Sequence, residues 1–207
     1  MPKNAQDIFK KQPPKRSNPP AKKRIAAALK ILLEEKDFNS ITTAEIAKAA
    51  RANEALIYRY FGDKRGLLHG VLAEYLEESQ DRIRKDLKGV KGAKNRLRKI
   101  VWHAFYTYNG NRTHAKIVLI EVRNFNGYYK SDTYQLARNY SKMVLDVLRE
   151  GVESGEFRQD LDTKLARNVI LGGIEHLTLP GLIFDREIPP DEYADFLMEM
   201  VLSGITP

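Results

Sequence analysis

The sequence predicts an all-α protein, with an N-terminal three-helix, helix-turn-helix domain joined by one long helix to a second helical domain. Three observations carry this reading. Apolar residues recur at helical spacing in every long segment, no stretch shows strand alternation, and capping or breaking residues fall between the segments.

Taken in order, residues 21–36 form the first helix, with Ile25, Leu29, Leu32 and Leu33 on one stripe and Phe38 and Ile41 closing a small core behind it. Thr42 and Glu45 have the spacing of a capping box for a second helix whose apolar face is Ile46, Ala47 and Ala50. A turn through Arg51 and Ala52 leads to Asn53, a cap for a third helix over 54–60. Ile57 and Phe61 face inward there, which leaves Glu54, Ala55, Tyr58 and Arg59 pointing out. Gly62 suits a helix end that needs positive φ, and Asp63 caps the fourth helix. Seven or eight residues bury little, so a face this polar and aromatic reads as a surface that enters a DNA major groove.

From Lys64 a long helix runs to residue 88, with Leu67, Leu68, Val71, Leu72, Leu76 and Ile83 on one side and Gly89 and Gly92 breaking it. Helices over 93–108, 113–124 and 132–153 come next. Asp162 caps another over 163–179, and a last helix after Pro189-Pro190 carries acidic residues in its first turn, as the helix dipole favours.

A chain of 207 residues can bury a real core, and its composition is that of a globular protein. It has no cysteine, which excludes disulfides and thiolate metal sites and fits a cytoplasmic location. No apolar run is long enough to span a bilayer, so no membrane partner is expected. The net charge is +8, and residues 1–24 hold eight Lys or Arg against one Asp, so +7 of it lies there. Residues 1–20 read as a basic flexible arm that should not fold alone, either in contact with phosphates or a solvated leader.

The stretch around residues 22–72 resembles the DNA-binding domain of TetR-family transcriptional regulators. Thr42-Thr43, Ile46-Ala47, Tyr58-Arg59-Tyr60-Phe61 and Lys64 carry the resemblance. The family pattern has Gly where this chain has Arg51, which predicts a non-glycine residue at strained φ. The resemblance implies a homodimer on a double-stranded DNA operator, usually as a repressor. Thr43, Tyr58 and Lys64 match positions that meet phosphates; Glu54, Ala55, Arg59 and Tyr60 are then the base readers or their neighbours. Residues 21–68 form the DNA-binding domain on this reading, and 69–207 the effector-binding and dimerisation domain.

Residues 93–140 are rich in aromatics with polar tips, as wide apolar pockets are. Trp102, Phe105, Tyr106, Phe125 and Tyr140 are the candidate wall, with Glu121 as a polar group and Arg112, Lys116, Arg123 and Lys130 as a basic rim; each aromatic taken singly fits a core position as well. The last two helices are strongly apolar, and Val169, Gly173, Ile174, Leu177, Phe196 and Met200 are the candidate dimer face, where TetR-family proteins form a four-helix bundle. The runs Glu121-Val-Arg-Asn124, Ser154-Gly-Glu-Phe157, Asp162 to Arg167 and Leu202-Ser-Gly-Ile205 are similar to the family's repressors of fatty-acid degradation, which implies a long-chain acyl-CoA effector. The four His lack metal-ligand spacing and no nucleotide or protease motif is present, so no cofactor, metal or catalytic residue is expected. A helical carrier or an enzyme is the competing reading, and it leaves Tyr58, Arg59 and Lys64 unexplained.

Overall fold

The computed structural model describes residues 20–125 and 127–207, and among these the chain forms nine α-helices and no strand. The basic arm lies outside the described residues except for Pro20, which opens α1 (Pro20–Glu35). Ile25, Leu29 and Leu33 of α1 are buried and Leu32 is half-buried. Each of the three buried side chains contributes about 1.5–3 kcal/mol.

Helix α2 (Thr43–Ala49) starts with the complete capping box, in which Thr42 Oγ1 accepts from Glu45 N–H at 3.1 Å and the Thr42 N–H donates to the Glu45 carboxylate at 2.8 Å. Lys36 pairs with the same carboxylate and, with the two Thr42 bonds, holds its pKa down to about 2. The turn places Arg51 at φ +49°, the strained conformation expected for a non-glycine residue there. Arg24 Nε donates to Ala50 O at 3.1 Å and ties α1 to this turn. Asn53 Oδ1 accepts from Ala55 N–H at 2.9 Å at the head of α3 (Ala55–Phe61).

Gly62 turns the chain at φ +83°, and Asp63 caps α4 (Lys64–Asp86) through Gly66 N–H at 2.6 Å. At 1.5 Å per residue these 23 residues span about 35 Å. A Cβ on Gly66 would lie 1.9 Å from the Phe61 carbonyl oxygen, so α3 and α4 can meet at this angle only without one. Gly66→Ala should cost about 2–3 kcal/mol, read as a lower urea midpoint, because backbone rather than a flexible side chain must move.

The remaining helices are α5 (Ala93–Gly110), α6 (Arg112–Lys116), α7 (Asp132–Glu153), α8 (Thr163–Ile183) and α9 (Pro190–Ile205). Helix α5 packs on α7 and α9, α4 on α7, and α8 on α7 and α9. Two elements differ from the sequence expectation. The single helix expected over 113–124 is broken into α6, a π-helical turn Ile117–Glu121 and a 3-10 turn Val122–Asn124. Helix α8 does not stop before Pro180 but continues to Ile183, although proline removes one helical bond at about 3 kcal/mol. Arg112 compensates for that extra turn: its guanidinium donates to the carbonyls of Gly181 and Arg186 and to Asp185, which satisfies the end of α8.

Candidate functional site

The DNA-reading candidates sit on two short helices and at the start of α4, around a small shared core. Ile57 is fully buried against it, which turns the opposite side of α3 outward. There Ala55, Tyr58 and Arg59 are exposed, with Tyr58 at 52 %. Thr43 and Glu54 are half-buried at the starts of their helices. Tyr60 lies half-buried, its ring edge-on to Phe61 at 6.5 Å. Its side chain therefore packs on the core more than it faces solvent. Lys64 is engaged within the protein: its ammonium donates to Phe38 O at 3.0 Å and Ile41 O at 2.7 Å and lies 4.4 Å from the Phe38 ring centre. Those bonds fix the start of α4 to the segment ahead of α2.

The second site is a cavity between α4, α5, the π-helical segment, α7 and α8, with a volume of about 110 Å³. Leu76, Ala104, Val118, Leu119, Leu171 and Ile174 form most of its apolar wall. Its polar groups fall in two places. At one, Tyr75, Ser79, His103 and Thr107 meet. Tyr75 Oη donates to Thr107 O at 3.1 Å, and burial pushes its pKa up to about 12. Burial also lowers His103, so the imidazole stays neutral. At the other, Arg123 forms a two-pronged bond with Glu175 of α8, at 2.8 and 2.6 Å, beside Tyr108 and Tyr128. That bond keeps the guanidinium charged, while burial raises both tyrosines.

Of the expected effector wall, Tyr140 lines this cavity, its hydroxyl donating to Ile100 O at 3.0 Å. The other five lie elsewhere. Trp102 and Tyr106 stack at 4.9 Å on the outer side of α5, with the indole N–H on Asp191 at 2.8 Å. Phe105 is fully buried against Tyr193 in the α5–α9 core. Glu121 lies in a separate crevice beside Lys36, Phe38 and Lys116. Phe125 packs on the His69 ring at 5.8 Å and the Arg65 guanidinium at 5.1 Å. Three of the four rim cations are also committed: Arg112 to the end of α8, Lys116 to Asp37 at 3.4 Å, and Arg123 to Glu175. Ser79 and Gln80, absent from the expected wall, are the clearest sequence signal, being polar residues in phase with the buried stripe of α4.

The candidate dimer face also divides. Val169, Phe196 and Met200 are 65, 57 and 62 % exposed, and Leu165 joins them at 62 %. Ile174 is 2 % exposed and points into the chain's own cavity, so it cannot lie on a contact between copies. Gly173 serves the close approach of α9, since a Cβ there would come within 2.7 Å of Leu197 Cδ1 of the same chain. Leu177 is half-buried.

His114 stacks on Tyr75 at 4.6 Å and holds Asn111 Oδ1 at 2.7 Å through Nδ1, while Nε2 is buried without a partner. Burial pushes its pKa down to about 4, from 6.5. The unfolded chain therefore takes up this proton more readily than the folded one. Stability from this group is complete above pH 6.5 and is lost as pH falls toward 4. The thermal midpoint should drop across that window more steeply in the wild type than in His114→Phe.

Helices α2 and α3, with a long helix leading from them to a cavity in the second helical domain, have the architecture of a DNA-binding transcriptional regulator. Residues 25–71 match the family of bacterial regulatory proteins, tetR family, and residues 72–188 match the YsiA-like protein C-terminal region. The chain belongs to the TetR family. It is 26% identical over 191 residues to the fatty acid metabolism regulator protein of Bacillus subtilis (strain 168), covering 92% of this chain and 98% of that one. It superposes with TM-score 0.79 and 25% identity on the transcriptional regulator FadR from Bacillus subtilis in complex with stearoyl-CoA, covering 88% of this chain and 98% of that one. For the fatty acid degradation regulator FadR from Bacillus halodurans the TM-score is 0.80 at 24% identity, covering 91% and 98%. Among the described residues, no helix is long and apolar enough to cross a membrane.

Proposed function

We propose that this protein is a homodimeric repressor, released from a palindromic operator when an acyl-CoA enters the cavity of each protomer. Residues 21–68 read DNA, residues 69–207 bind the effector and pair the copies, and the arm over 1–20 adds phosphate contacts. Ala55, Tyr58 and Arg59 face base edges, while Thr43 and the arm meet the backbone. Leu165, Val169, Phe196 and Met200 cover the partner's copies of the same residues.

The observation that carries the effector reading is the place and size of the cavity. Tyr75, Leu76, Ser79 and Gln80 of α4 line it, and α4 begins at the Lys64 contacts that position the reading head. At about 110 Å³ it is smaller than a cavity of roughly 150 Å³ that holds one benzene ring. A long acyl chain can therefore enter only by spreading the helices around it. The ligand-bound and DNA-bound positions of α4 then exclude one another. The likeness to the stearoyl-CoA complex supports the ligand class.

An acyl tail gains about 0.8 kcal/mol per buried CH₂. Titrating the protein–operator complex with acyl-CoAs of increasing length should release DNA more strongly as the chain lengthens. A coupling of about 1–3 kcal/mol corresponds to roughly a 5–150-fold loss of operator affinity. A flat response across the series would discard the acyl-CoA reading.

A further inference from the structure

We infer that the cavity selects an oxygenated acyl-CoA, one whose chain carries a hydroxyl or keto oxygen that reaches Ser79, His103 and Thr107, over the saturated chain of equal length. This inference rests on the acyl-CoA reading and narrows it.

A plain hydrocarbon tail needs only an apolar wall, and most of this wall is apolar. The exception is a cluster in which one nitrogen faces three oxygens. His103 Nε2 lies 3.1 Å from Ser79 O, 3.2 Å from Ser79 Oγ and 3.3 Å from Thr107 Oγ1. The backbone oxygen can only accept, so that contact requires the proton on Nε2. Both hydroxyls then face a nitrogen that has nothing left to accept with. Neither hydroxyl has another partner among the described residues, and the Thr107 carbonyl is already taken by Tyr75 Oη. The other tautomer fares no better. A bare Nε2 could accept from one hydroxyl only and would lose its bond to Ser79 O. Either way the cluster holds more hydroxyl protons than acceptors.

Two of its three residues are buried from bulk water, and Thr107 is half-buried. His103 is 3 % and Ser79 9 % exposed, and all three residues line the cavity. The low pKa of His103 keeps an imidazolium from altering this count. A water in the ligand-free cavity can serve such hydroxyls, but a methylene that displaces it cannot, and the loss weakens binding. A ligand oxygen restores the bonds. Sites built to meet a substrate oxygen discriminate strongly against analogues that lack it, because their own buried polar groups are then left unpaired.

Calorimetric titration of the whole protein with palmitoyl-CoA and chain-matched hydroxy and keto derivatives tests this. The oxygen should be placed in turn near the thioester, at mid-chain and near the tail. At least one derivative should bind tenfold or more tighter than palmitoyl-CoA. In Thr107→Val, which keeps the shape and removes the hydroxyl, that preference should shrink to threefold or less. Palmitoyl-CoA binding as tightly as every derivative overturns the inference and leaves the acyl-CoA reading intact. A preference that survives in both Thr107→Val and Ser79→Ala overturns its assignment to this cluster. If no thioester binds at all, the acyl-CoA reading itself fails and takes this inference with it.

Discussion

Phe196→Glu should turn the protein into a folded monomer in sedimentation and reduce operator affinity by at least a hundredfold. The exposed face of α8 and α9 presents Leu165, Val169, Phe196 and Met200 together, each more than half exposed in the single chain. A twofold pair buries the same patch on both copies, so one substitution places two unpaired carboxylates in one apolar interface. Uncompensated buried charges cost several kcal/mol each, enough to outweigh the gain from the surrounding apolar contacts. Operator affinity falls when dimerisation is lost, because each protomer supplies one reading head and a twofold operator demands two at a fixed separation. Phe196 is 57 % exposed in the single chain, so its replacement should leave the thermal midpoint of the protomer nearly unchanged. Ile174→Glu is the contrasting case. Its side chain is buried between α8 and the cavity, so that variant should unfold rather than dissociate cleanly. A Phe196→Glu protein that still sediments as a dimer would remove this face from consideration.

The same pair of residues shows what could be read from the sequence and what could not. Helix α8 carries two apolar stripes, one through Ile170 and Ile174 and one through Leu165 and Val169. Periodicity identifies both as apolar, yet only the packing of α7 and α9 decides which one the chain covers itself. Local signals fared better. The Thr42–Glu45 box, the Asp63 and Asp162 caps and the positive φ at Arg51 and Gly62 all depend on neighbours within a few residues. Pro180 is where a local rule failed. Its usual role as a helix terminator was overridden by Arg112, a partner 69 residues away from Gly181. The aromatic-rich segment misled for a related reason. Trp102 and Tyr106 do share one face of α5, but that face meets solvent and the start of α9, while the cavity lies on the side of His103 and Thr107.

Filling the cavity should separate effector response from DNA binding. Ala137 lies one turn from both Thr133 and Tyr140 on α7, and all three line the cavity. A benzyl group in place of its methyl would take up much of the roughly 110 Å³ between α4 and α7. Added bulk in a packed core costs about 1–3 kcal/mol when neighbours must shift. Here the ring enters existing space, so the thermal midpoint should change by only a few degrees. Nothing in the reading head is touched, and the contacts of Lys64 with Phe38 and Ile41 remain. Operator affinity should therefore stay within threefold of the wild type. The acyl-CoA concentration needed for half-release should rise a hundredfold or more, because a ligand shifts an equilibrium only by its difference in affinity for the two states. Ala137→Phe would thus give a repressor locked on DNA, measured by titrating its operator complex beside the wild-type complex. If acyl-CoA released both at the same concentration, the effector would be acting from outside this cavity, and the proposed competition between ligand and operator through α4 would be wrong.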